Sequence, residues 1–413
     1  MRGPDVTAPL RLRHLLRHLL PAVLLVTVAA CAHPAPVPRA DATTTSPAPS
    51  ASSTPSPTAP ATSAPAAGLP GMPPVTDPHD VYAAAGAGML AAVVKTAKPL
   101  VYVPHTKSRD VWVIDPATFA VVARYPLGGG ELQHVVPSWD LHTLYATDDT
   151  GNRLTPFDPA TGKPGKPMHV EDPYNLYFTP DGRSAISVAE AQRRLVFYDP
   201  HTWAVQGTLP TPNCAGIDHA DFTPDGRTAV FTCEFAGRVA VVDVAAHKLL
   251  RMIDMPHRNM MMGPQDIKLA PDGSVYYIAD SDANGLWVLD AAATKVLRFI
   301  PTGRGAHGLY LSRDAKQLYV TNRHEGSVSV LDAYTGASLT TWHIPGGGSP
   351  DMGNVTADGT QLWLSGRYDR VVYVLSTKDG ALLAKIPAGN EPHGLCVWPQ
   401  PGRYSLGHTG ITR

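Results

Sequence analysis

Histidine, aspartate and glutamine recur at one place in a repeated sequence pattern, and their chemistry is the most informative feature of this chain. Each lies six or seven residues before the Asp of a turn, or eight before Pro401 where the last copy has an insertion. The set comprises His134, Asp218, His219, Gln265, Asp266, His307, Asp351 and His393. Imidazole and carboxylate groups together suit a divalent transition metal, or Mg²⁺ or Mn²⁺ where few histidines contribute. These eight residues are therefore candidate ligands for a metal or another small molecule.

Two other interpretations of the same residues stay open. A His–carboxylate pair, such as Asp218 with His219 or Asp266, could perform general acid–base catalysis. The side chains could also be polar only because they meet water and hydrogen-bond to a neighbouring repeat. The sequence does not show which of them point inward, so it does not decide between these roles.

Other chemical motifs are few. No CxxCH motif occurs, which excludes covalently attached c-type haem, and no G-x-S-x-G nucleophile motif occurs. The stretch 251–263 carries five methionines and His257. Thioethers with imidazole select Cu(I), whereas methionine also fills irregular gaps in a core. We favour packing for this stretch.

The candidate residues belong to a repeat that covers the chain after about residue 97. Its turn reads SWD at 138–140, PDG at 180–182, 224–226 and 271–273, RDA at 313–315, ADG at 357–359 and QPG at 400–402. The spacing between successive turns runs from 41 to 47 residues, which is typical of a repeat architecture.

Each repeat contains four short β-rich stretches with turn residues between them. The stretch before the turn reads LYFT or LYLS, the one after it LYAT or LYVT, and the third ends in Asp, as in VWVID. Helix-length periodic segments are absent from 97 to 402. This pattern predicts one four-stranded antiparallel sheet per repeat, and seven such sheets arranged radially form an all-β, seven-bladed β-propeller.

The two ends of the repeat region predict how the ring closes. The first repeat begins at its second strand (100–103), whereas the last contributes an unpaired first strand (392–398). We therefore expect the N- and C-terminal strands of the propeller, residues 97–413, to share one blade. Residues 403–410 would be an extra segment at this seam, and whether they cap the channel with His408 is open. Residues 77–96 read as a short apolar helix or an irregular cap.

The stretch LYVTNRHEGSVSVLDAYTG at 318–336 resembles the YVTN repeat of bacterial, YncE-like seven-bladed propellers. The resemblance spans all seven repeats and is strongest over 305–395 and weakest over 142–170. It implies that the strand before each turn is innermost and starts at one end of the central channel. The eight candidate residues would then form a ring at that rim, where convergent polar groups are typical of a ligand site.

The resemblance is specific for the fold and says little about activity, because propellers host many functions. Streptogramin-type lyases use a histidine on a similar scaffold, which keeps a lyase open. Haem-binding propellers of dissimilatory nitrite reductases also resemble these repeats, but they have eight blades and usually a cytochrome domain that this sequence lacks.

The first 31 residues resemble an export signal with a lipobox. Three arginines between residues 11 and 17 precede an apolar run at 19–30, which ends in VAAC at Cys31. This pattern predicts a secretory signal peptide that is too short to span a bilayer comfortably. In bacterial lipoproteins the cysteine of this motif is lipidated. We therefore expect Cys31 to anchor the protein to the outer face of the bacterial cytoplasmic membrane.

Residues 32–76 are composed mainly of Pro, Ala, Ser and Thr, with only Arg39 and Asp41 charged. Such a segment cannot bury enough apolar surface to offset its ordering entropy, so we predict a disordered stalk. At about 3 Å per residue, it would hold a domain on the order of 100 Å from the membrane.

Three cysteines remain after Cys31. Cys214 and Cys233 flank a PDG hairpin, and antiparallel neighbours at such positions can come within disulfide reach in an oxidising compartment. We predict a disulfide between them. Cys396 then stays single, as a buried thiol on an inner strand.

The charge and composition of the chain restrict the classes of partner that we expect. The chain has 34 basic and 35 acidic residues and no basic stripe, so nucleic acid is not an expected partner. We expect a monomeric, anchored propeller that binds or scaffolds a cell-envelope protein or a small ligand. The alternative is a metal-dependent lyase or oxidoreductase at the rim. No cofactor is certain from the sequence, although a divalent metal at the rim is an open possibility.

Overall fold

The chain folds into seven antiparallel sheets, and the innermost strands of consecutive sheets contact one another in a closed ring. The computed structural model describes residues 68–257, 261–408 and 410–413. The predicted signal peptide, Cys31 and most of the predicted stalk lie outside these residues. Among the described residues, no helix has the length and apolarity needed to cross a membrane. The prediction of an all-β, seven-bladed propeller is confirmed.

The strands are numbered in chain order. Blade 1 contains β1 (Leu100–His105), β2 (Asp110–Asp115), β3 (Ala120–Pro126) and β29 (Cys396–Trp398). Blade 2 contains β4 (Leu132–Pro137), β5 (Leu144–Asp148), β6 (Arg153–Asp158), β7 (Lys163–Pro164) and β8 (Met168–His169). Blade 3 contains β9 (Pro173–Phe178), β10 (Ala185–Ala189), β11 (Arg194–Tyr198) and β12 (Val205–Pro210).

The remaining blades are regular. Blade 4 contains β13 (Ile217–Phe222), β14 (Thr228–Cys233), β15 (Arg238–Asp243) and β16 (Lys248–Asp254). Blade 5 contains β17 (Pro264–Leu269), β18 (Val275–Asp280), β19 (Gly285–Asp290) and β20 (Val296–Pro301). Blade 6 contains β21 (Ala306–Leu311), β22 (Gln317–Asn322), β23 (Ser327–Asp332) and β24 (Ser338–His343). Blade 7 contains β25 (Pro350–Val355), β26 (Gln361–Gly366), β27 (Val371–Ser376) and β28 (Leu382–Pro387).

Blade 1 closes the ring in the predicted way. Its innermost strand is β29, which pairs antiparallel with β1 through Tyr102 opposite Cys396 and Leu100 opposite Trp398. The shared blade is therefore confirmed. Cys396 is buried, and burial raises the pKa of its thiol, in agreement with the predicted inert role.

The burial pattern explains the sequence pattern within a blade. Inner strands such as β4 are buried along their whole length, because neighbouring blades cover both of their faces. The outermost strand β3 alternates between exposed and half-buried residues, so its sequence alternates as well.

The recurring turn has a local cause. In blade 3 the Thr179 hydroxyl donates to Asp181 at 2.6 Å, and Asp181 accepts the backbone N–H of Arg183. Gly182 follows with φ +70, a left-handed conformation that glycine adopts without steric cost. The same hydroxyl–Asp contact recurs at Thr223 and Asp225. The PDG tripeptide therefore sets the conformation of the turn and is not a functional site.

Residues 68–95 run across the turn side of the propeller. Backbone N–H groups of this segment donate to turn carbonyls of three blades, namely Leu69 to Asp225, Val81 to Pro271 and Gly88 to Ala357. It contains two 3-10 turns, Ala83–Ala85 and Ala92–Val94, so it is an irregular cap. Leu69 is only 4% exposed, so the packed body begins before the predicted boundary at residue 77.

Residues 403–413, which we call the channel segment, do not stay at the seam of blade 1. They form a hairpin of β30 (Ser405–Gly407) and β31 (Ile411–Thr412), and β30 pairs with the inner strand of blade 3. The channel segment therefore lies inside the ring of inner strands, a position that the sequence left open.

The predicted disulfide is present between Cys214 and Cys233, which are 19 residues apart. Replacing both cysteines by serine should lower the free energy of unfolding by about 3 kcal/mol, because the cross-link restricts the unfolded chain. Urea denaturation of the variant and the wild type measures the difference. A Cys396→Ala variant is the control for thiol removal, and intact mass showing two free thiols in the wild type would contradict the bond.

Candidate metal centre in the central channel

A bulge at the start of the inner strands positions the candidate residues. In blade 2, Leu132 pairs with Asp148 and Val135 pairs with Ala146, so that two residues of β4 face the single Thr147. The Thr147 hydroxyl accepts the N–H of His134 at 3.0 Å and donates to the Tyr174 carbonyl of the next blade at 3.1 Å. One hydroxyl thus holds the bulge and joins two blades.

The same arrangement recurs in other blades and explains part of the YVTN pattern. The second-strand hydroxyl accepts the bulged N–H in three further pairs, namely Thr232 with His219, Thr321 with Gly308, and Ser365 with Met352. The threonine of the motif is therefore a support for the channel residues.

Three imidazoles meet in the channel. His134, His219 and His408 each offer one nitrogen, and these atoms all lie within 4.8 Å of one another. The ring centroids are 5.6 Å apart for His134 and His219, and 4.5 Å apart for His219 and His408. All three residues are at most 1% exposed.

The Nδ1 atom of each ring lies next to a polar group that orients the ring. His134 Nδ1 donates to the Tyr174 carbonyl at 2.9 Å, and His219 Nδ1 lies 3.0 Å from Asp218 Oδ1. His408 Nδ1 lies 3.0 Å from Asn175 Nδ2. The Nε2 atoms of all three rings have no hydrogen-bond partner among the described residues. Such a set of buried, convergent imidazole nitrogens can hold Zn²⁺ or another borderline transition metal.

The geometry suits a metal after a small contraction. Three nitrogens bound to zinc at about 2.0–2.1 Å would lie about 3.3 Å apart in a tetrahedral site. The rings must therefore move inward by about 1 Å. A cavity of about 50 Å³ borders His408 and Gly410. Asp266 Oδ1, at 3.9 Å from His408 Nε2, is the nearest carboxylate to that nitrogen.

Charge differs among the three rings. Burial, together with the charge of His219, lowers the pKa of His134 and of His408 well below the usual range, so both rings are neutral at pH 7. Burial also acts on His219, but the adjacent Asp218 carboxylate outweighs it and raises the pKa of His219 to about 9. A carboxylate behind a histidine ligand also fixes the ring and raises its basicity.

Two arginines and two histidines surround Asp351 elsewhere in the channel. Arg323 Nη1 lies 3.2 Å and His307 Nδ1 3.0 Å from Asp351 Oδ1. Arg367 and His393 lie 3.9 Å from Asp351 Oδ2, which is too far for a direct hydrogen bond. Burial, with the nearby guanidinium groups, lowers the pKa of His307 and His393. This group is an ion-pair cluster that adjoins the three-histidine set, because the His393 ring lies 4.9 Å from the His134 ring between centroids.

All eight residues predicted from the sequence are buried in the channel, but they do not form one site. His134 and His219 belong to the histidine centre, and Asp218 and Asp266 lie beside it. His307, Asp351 and His393 belong to the second cluster. Gln265 donates to the Gly263 carbonyl at 3.1 Å and contacts no histidine of the centre through a hydrogen bond that the structure describes.

Sequence reasoning did not include His408, Arg323 and Arg367 in the site. His408 lies outside the repeat, so counting back from a turn cannot find it. The two arginines directly follow the second strands β22 and β26, and their recurrence at that place was the available signal.

The methionine-rich stretch does not converge on a site. Met255 is buried, whereas Met261 is 75% exposed, and residues 258–260 lie outside the described part of the chain. His257 Nε2 lies 3.0 Å from Asp282 Oδ2. These positions agree with a surface loop in which individual methionines pack.

Seven four-stranded blades around a polar channel define a seven-bladed β-propeller. The model of the YNCE-like beta-propeller family matches residues 263–401, which form blades 5 to 7 and the strand that closes blade 1. A search of curated proteins finds no significant relative.

Solved structures share the fold at low identity. A functionally unknown protein from Desulfotomaculum acetoxidans DSM 771 is 17% identical with a TM-score of 0.60, over 72% of this chain and 98% of that one. Dihydro-heme d1 dehydrogenase NirN is 16% identical with a TM-score of 0.54, over 74% of this chain and 77% of that one. A streptogramin B lyase is 14% identical with a TM-score of 0.53, over 64% of this chain and 86% of that one. At these identities the likeness extends to the fold alone.

Two half-buried glutamates give the structure a specific pH dependence. Burial, with the charge of Asp218, raises the pKa of Glu190 to about 8 and of Glu234 to about 7. Between pH 7 and 9, these two residues and His219 lose protons that the unfolded chain has released at lower pH, whereas the buried neutral histidines, such as His134, oppose this trend chiefly below pH 7. Stability is therefore greatest at the lower end of this interval and is lost as the pH rises through these values.

We predict that the free energy of unfolding falls between pH 7 and 9, by about 1.4 kcal/mol per pH unit for each proton that the folded protein retains and the unfolded chain does not. Denaturant titrations across the interval, with a chelator present, measure this slope. Glu190→Gln should flatten the curve below about pH 8, the value that burial gives this carboxyl, and leave it unchanged above. A stability that rises across the interval would contradict the assignment.

Proposed function

We propose that this chain is an exported β-propeller that binds one divalent transition-metal ion in its channel through His134, His219 and His408. One observation carries the proposal: each of the three rings offers one nitrogen within 4.8 Å of the other two, and the buried Nε2 atoms have no hydrogen-bond partner among the described residues. A buried polar atom without a partner costs about 1–3 kcal/mol, and a metal–nitrogen bond would remove that cost from all three atoms.

The surroundings support a metal of the zinc type. The centre offers imidazole nitrogens and carboxylates but no thiolate, which disfavours Cu(I) and iron–sulfur chemistry. His134 and His219 already have their Nδ1 atoms against a carbonyl and a carboxylate, the usual supporting groups of a metal-bound histidine. Two of the rings are therefore oriented before any metal arrives.

Metal binding is the principal proposal, and a metal-dependent enzyme is the second candidate. Three protein ligands leave a fourth position for water or substrate, as in catalytic zinc sites. The three rings are at most 1% exposed, however, so a substrate would have to reach a covered ion. This burial favours holding or carrying a metal over turnover.

We also propose that the protein is anchored by a lipid on Cys31 at the outer face of the bacterial cytoplasmic membrane. The basic start, the apolar run and the VAAC motif support this location. The disulfide between Cys214 and Cys233 is compatible with an oxidising compartment. The propeller would act there as a monomer whose partner is a cell-envelope protein or the metal itself.

Purified protein mixed with Zn²⁺ or Co²⁺ and passed through gel filtration should retain about one equivalent of metal. His219→Ala should lose it, because one of the three nitrogens is removed. His307→Gln is the matched control, since His307 is also buried near an aspartate but lies outside the centre. Elemental analysis gives the stoichiometry, and Co²⁺ absorption reports the nitrogen ligands. A wild type that binds no metal, or two variants that bind alike, would sink the proposal.

Expression in a bacterium with lipoprotein processing should place the protein in the membrane fraction, with label incorporated from a radioactive fatty acid. Cys31→Ala should abolish the label and release the protein from the membrane, because the acylated thiol is removed. Cys396→Ala is the control, and it should behave as the wild type. Persistent membrane association of Cys31→Ala without label would argue against the lipid anchor.

A further inference from the structure

The metal centre draws its ligands from two different parts of the chain. His134 and His219 come from inner strands of blades 2 and 4, whereas His408 comes from the channel segment. We infer that metal binding and insertion of the channel segment are coupled: the ion holds residues 403–413 in the channel, and the inserted segment holds the ion. This inference rests on the proposed function and adds the regulation of the same site.

The channel segment is an addition to a complete propeller. Blade 3 already has its four strands, β9 to β12, and β30 and β31 extend it from its inner edge. The pairing of β30 with β9 is limited to Gly407 opposite Tyr177. Departure of the segment would leave the four strands of blade 3 paired, but it would expose Tyr404, Leu406 and Ile411, which are buried in the core, so insertion has a free-energy cost to reverse that metal binding can add to.

The inserted position is specific. Gly407 has φ +97, and a Cβ atom there would lie 2.4 Å from the Leu176 carbonyl oxygen, so the close approach to β9 requires glycine. The N–H of His408 donates to that same carbonyl at 2.8 Å. These contacts aim the His408 ring at His134 and His219.

A buried ion pair holds the segment beyond His408. Arg413 Nη2 donates to Asp221 Oδ1 at 2.9 Å and to the Phe222 carbonyl at 2.8 Å. Asp221 also accepts the Tyr82 hydroxyl of the cap at 3.0 Å. Arg413 thus acts as a positioning residue for His408, because it fixes the segment against blade 4 without touching the histidine centre.

Asn175 shows that His408 is not yet arranged as a ligand. Its Oδ1 accepts the Leu176 N–H at 2.9 Å, which turns Nδ2 towards His408 Nδ1. A ring that accepts on Nδ1 carries its proton on Nε2, the nitrogen that has no hydrogen-bond partner among the described residues. Metal binding must therefore move that proton to Nδ1. An acceptor at position 175 would favour the ligand form.

The coupling is reciprocal by thermodynamic necessity. If the inserted segment raises metal affinity by a given factor, then the metal stabilises insertion by the same factor. A segment anchored only by its protein contacts would instead show the same insertion with and without metal.

Zinc affinity, measured by competition with a chromogenic chelator, tests the ligand side of the coupling. His408→Ala should weaken binding by about a hundredfold or more, above the ten- to hundredfold that loss of a supporting residue costs. Arg413→Gln should weaken it by about tenfold. Asn175→Asp should tighten it, because a carboxylate accepts both the Leu176 N–H and a proton on His408 Nδ1. A gain in zinc affinity cannot result from a variant that fails to fold, so this variant tests the coupling independently of the two losses.

Amide hydrogen exchange tests the segment side. Zinc should slow exchange in β30 and β31 of the full chain, while β22 serves as an internal control. The same addition to His219→Ala should leave β30 and β31 unchanged. If wild type binds zinc but His408→Ala binds equally well and exchange in β30 and β31 is unaffected, the coupling is wrong and the metal centre stands. If wild type binds no zinc, both ideas fail.

Discussion

A single repeated hydrogen bond positions the interior of this propeller. The hydroxyl of a second-strand Thr or Ser accepts the N–H of a bulged residue on the adjacent inner strand, as Thr147 does for His134. In two blades it also donates to a carbonyl of the next blade, at Tyr174 and at Asp351. Because the bulge sets two residues opposite one, it places pairs of polar side chains at the channel. Blade 5 has the same bulge with Ala279 opposite it, so the hydroxyl supports the bulge but is not required to form it.

Burial then decides the chemistry of these side chains. Imidazoles away from a carboxylate, such as His134, are kept neutral by burial, whereas Asp218 keeps His219 protonated at pH 7. Asp351 is surrounded by Arg323, Arg367 and two histidines, which compensates its charge. The two groups thus differ in charge and not in satisfaction: one is a carboxylate flanked by two guanidinium groups, the other has two neutral imidazoles beside His219, and both contain unpartnered nitrogens. That contrast separates an ion pair that serves structure from a centre that can accept a metal.

The channel segment covers the histidine centre inside the ring of inner strands. It supplies His408 and is anchored by Arg413 against Asp221, a residue that also contacts the cap through Tyr82. The cap, which precedes the repeats, and the channel segment, which follows them, thus both contact the Asp221 carboxylate. Insertion of the segment excludes solvent from the histidines, which strengthens any electrostatic interaction there. In the proposed function, the same arrangement that completes the metal centre also restricts access to it.

The sequence by itself determined the fold, because its signals are local and repeated. Strand alternation, the PDG turns and the 41–47 residue spacing predict seven four-stranded blades, and the unpaired strands at 100–103 and 392–398 predict the shared blade. The register before each turn also predicted that His134 and His219 lie in the channel. Proximity of Cys214 and Cys233 followed from one hairpin. Each of these inferences needs only contacts between neighbours in a repeat.

Only the tertiary structure decided which polar residues share a site. The sequence places His219 and His307 on the same rim, six and seven residues before their turn Asp, yet one joins a histidine centre and the other an ion-pair cluster, because their neighbours come from different blades. His408 has no place in the repeat, and its position depends on packing of residues 403–413 across the channel. Such contacts join residues that are hundreds of positions apart, as His408 and Asn175 are, and no local pattern specifies them.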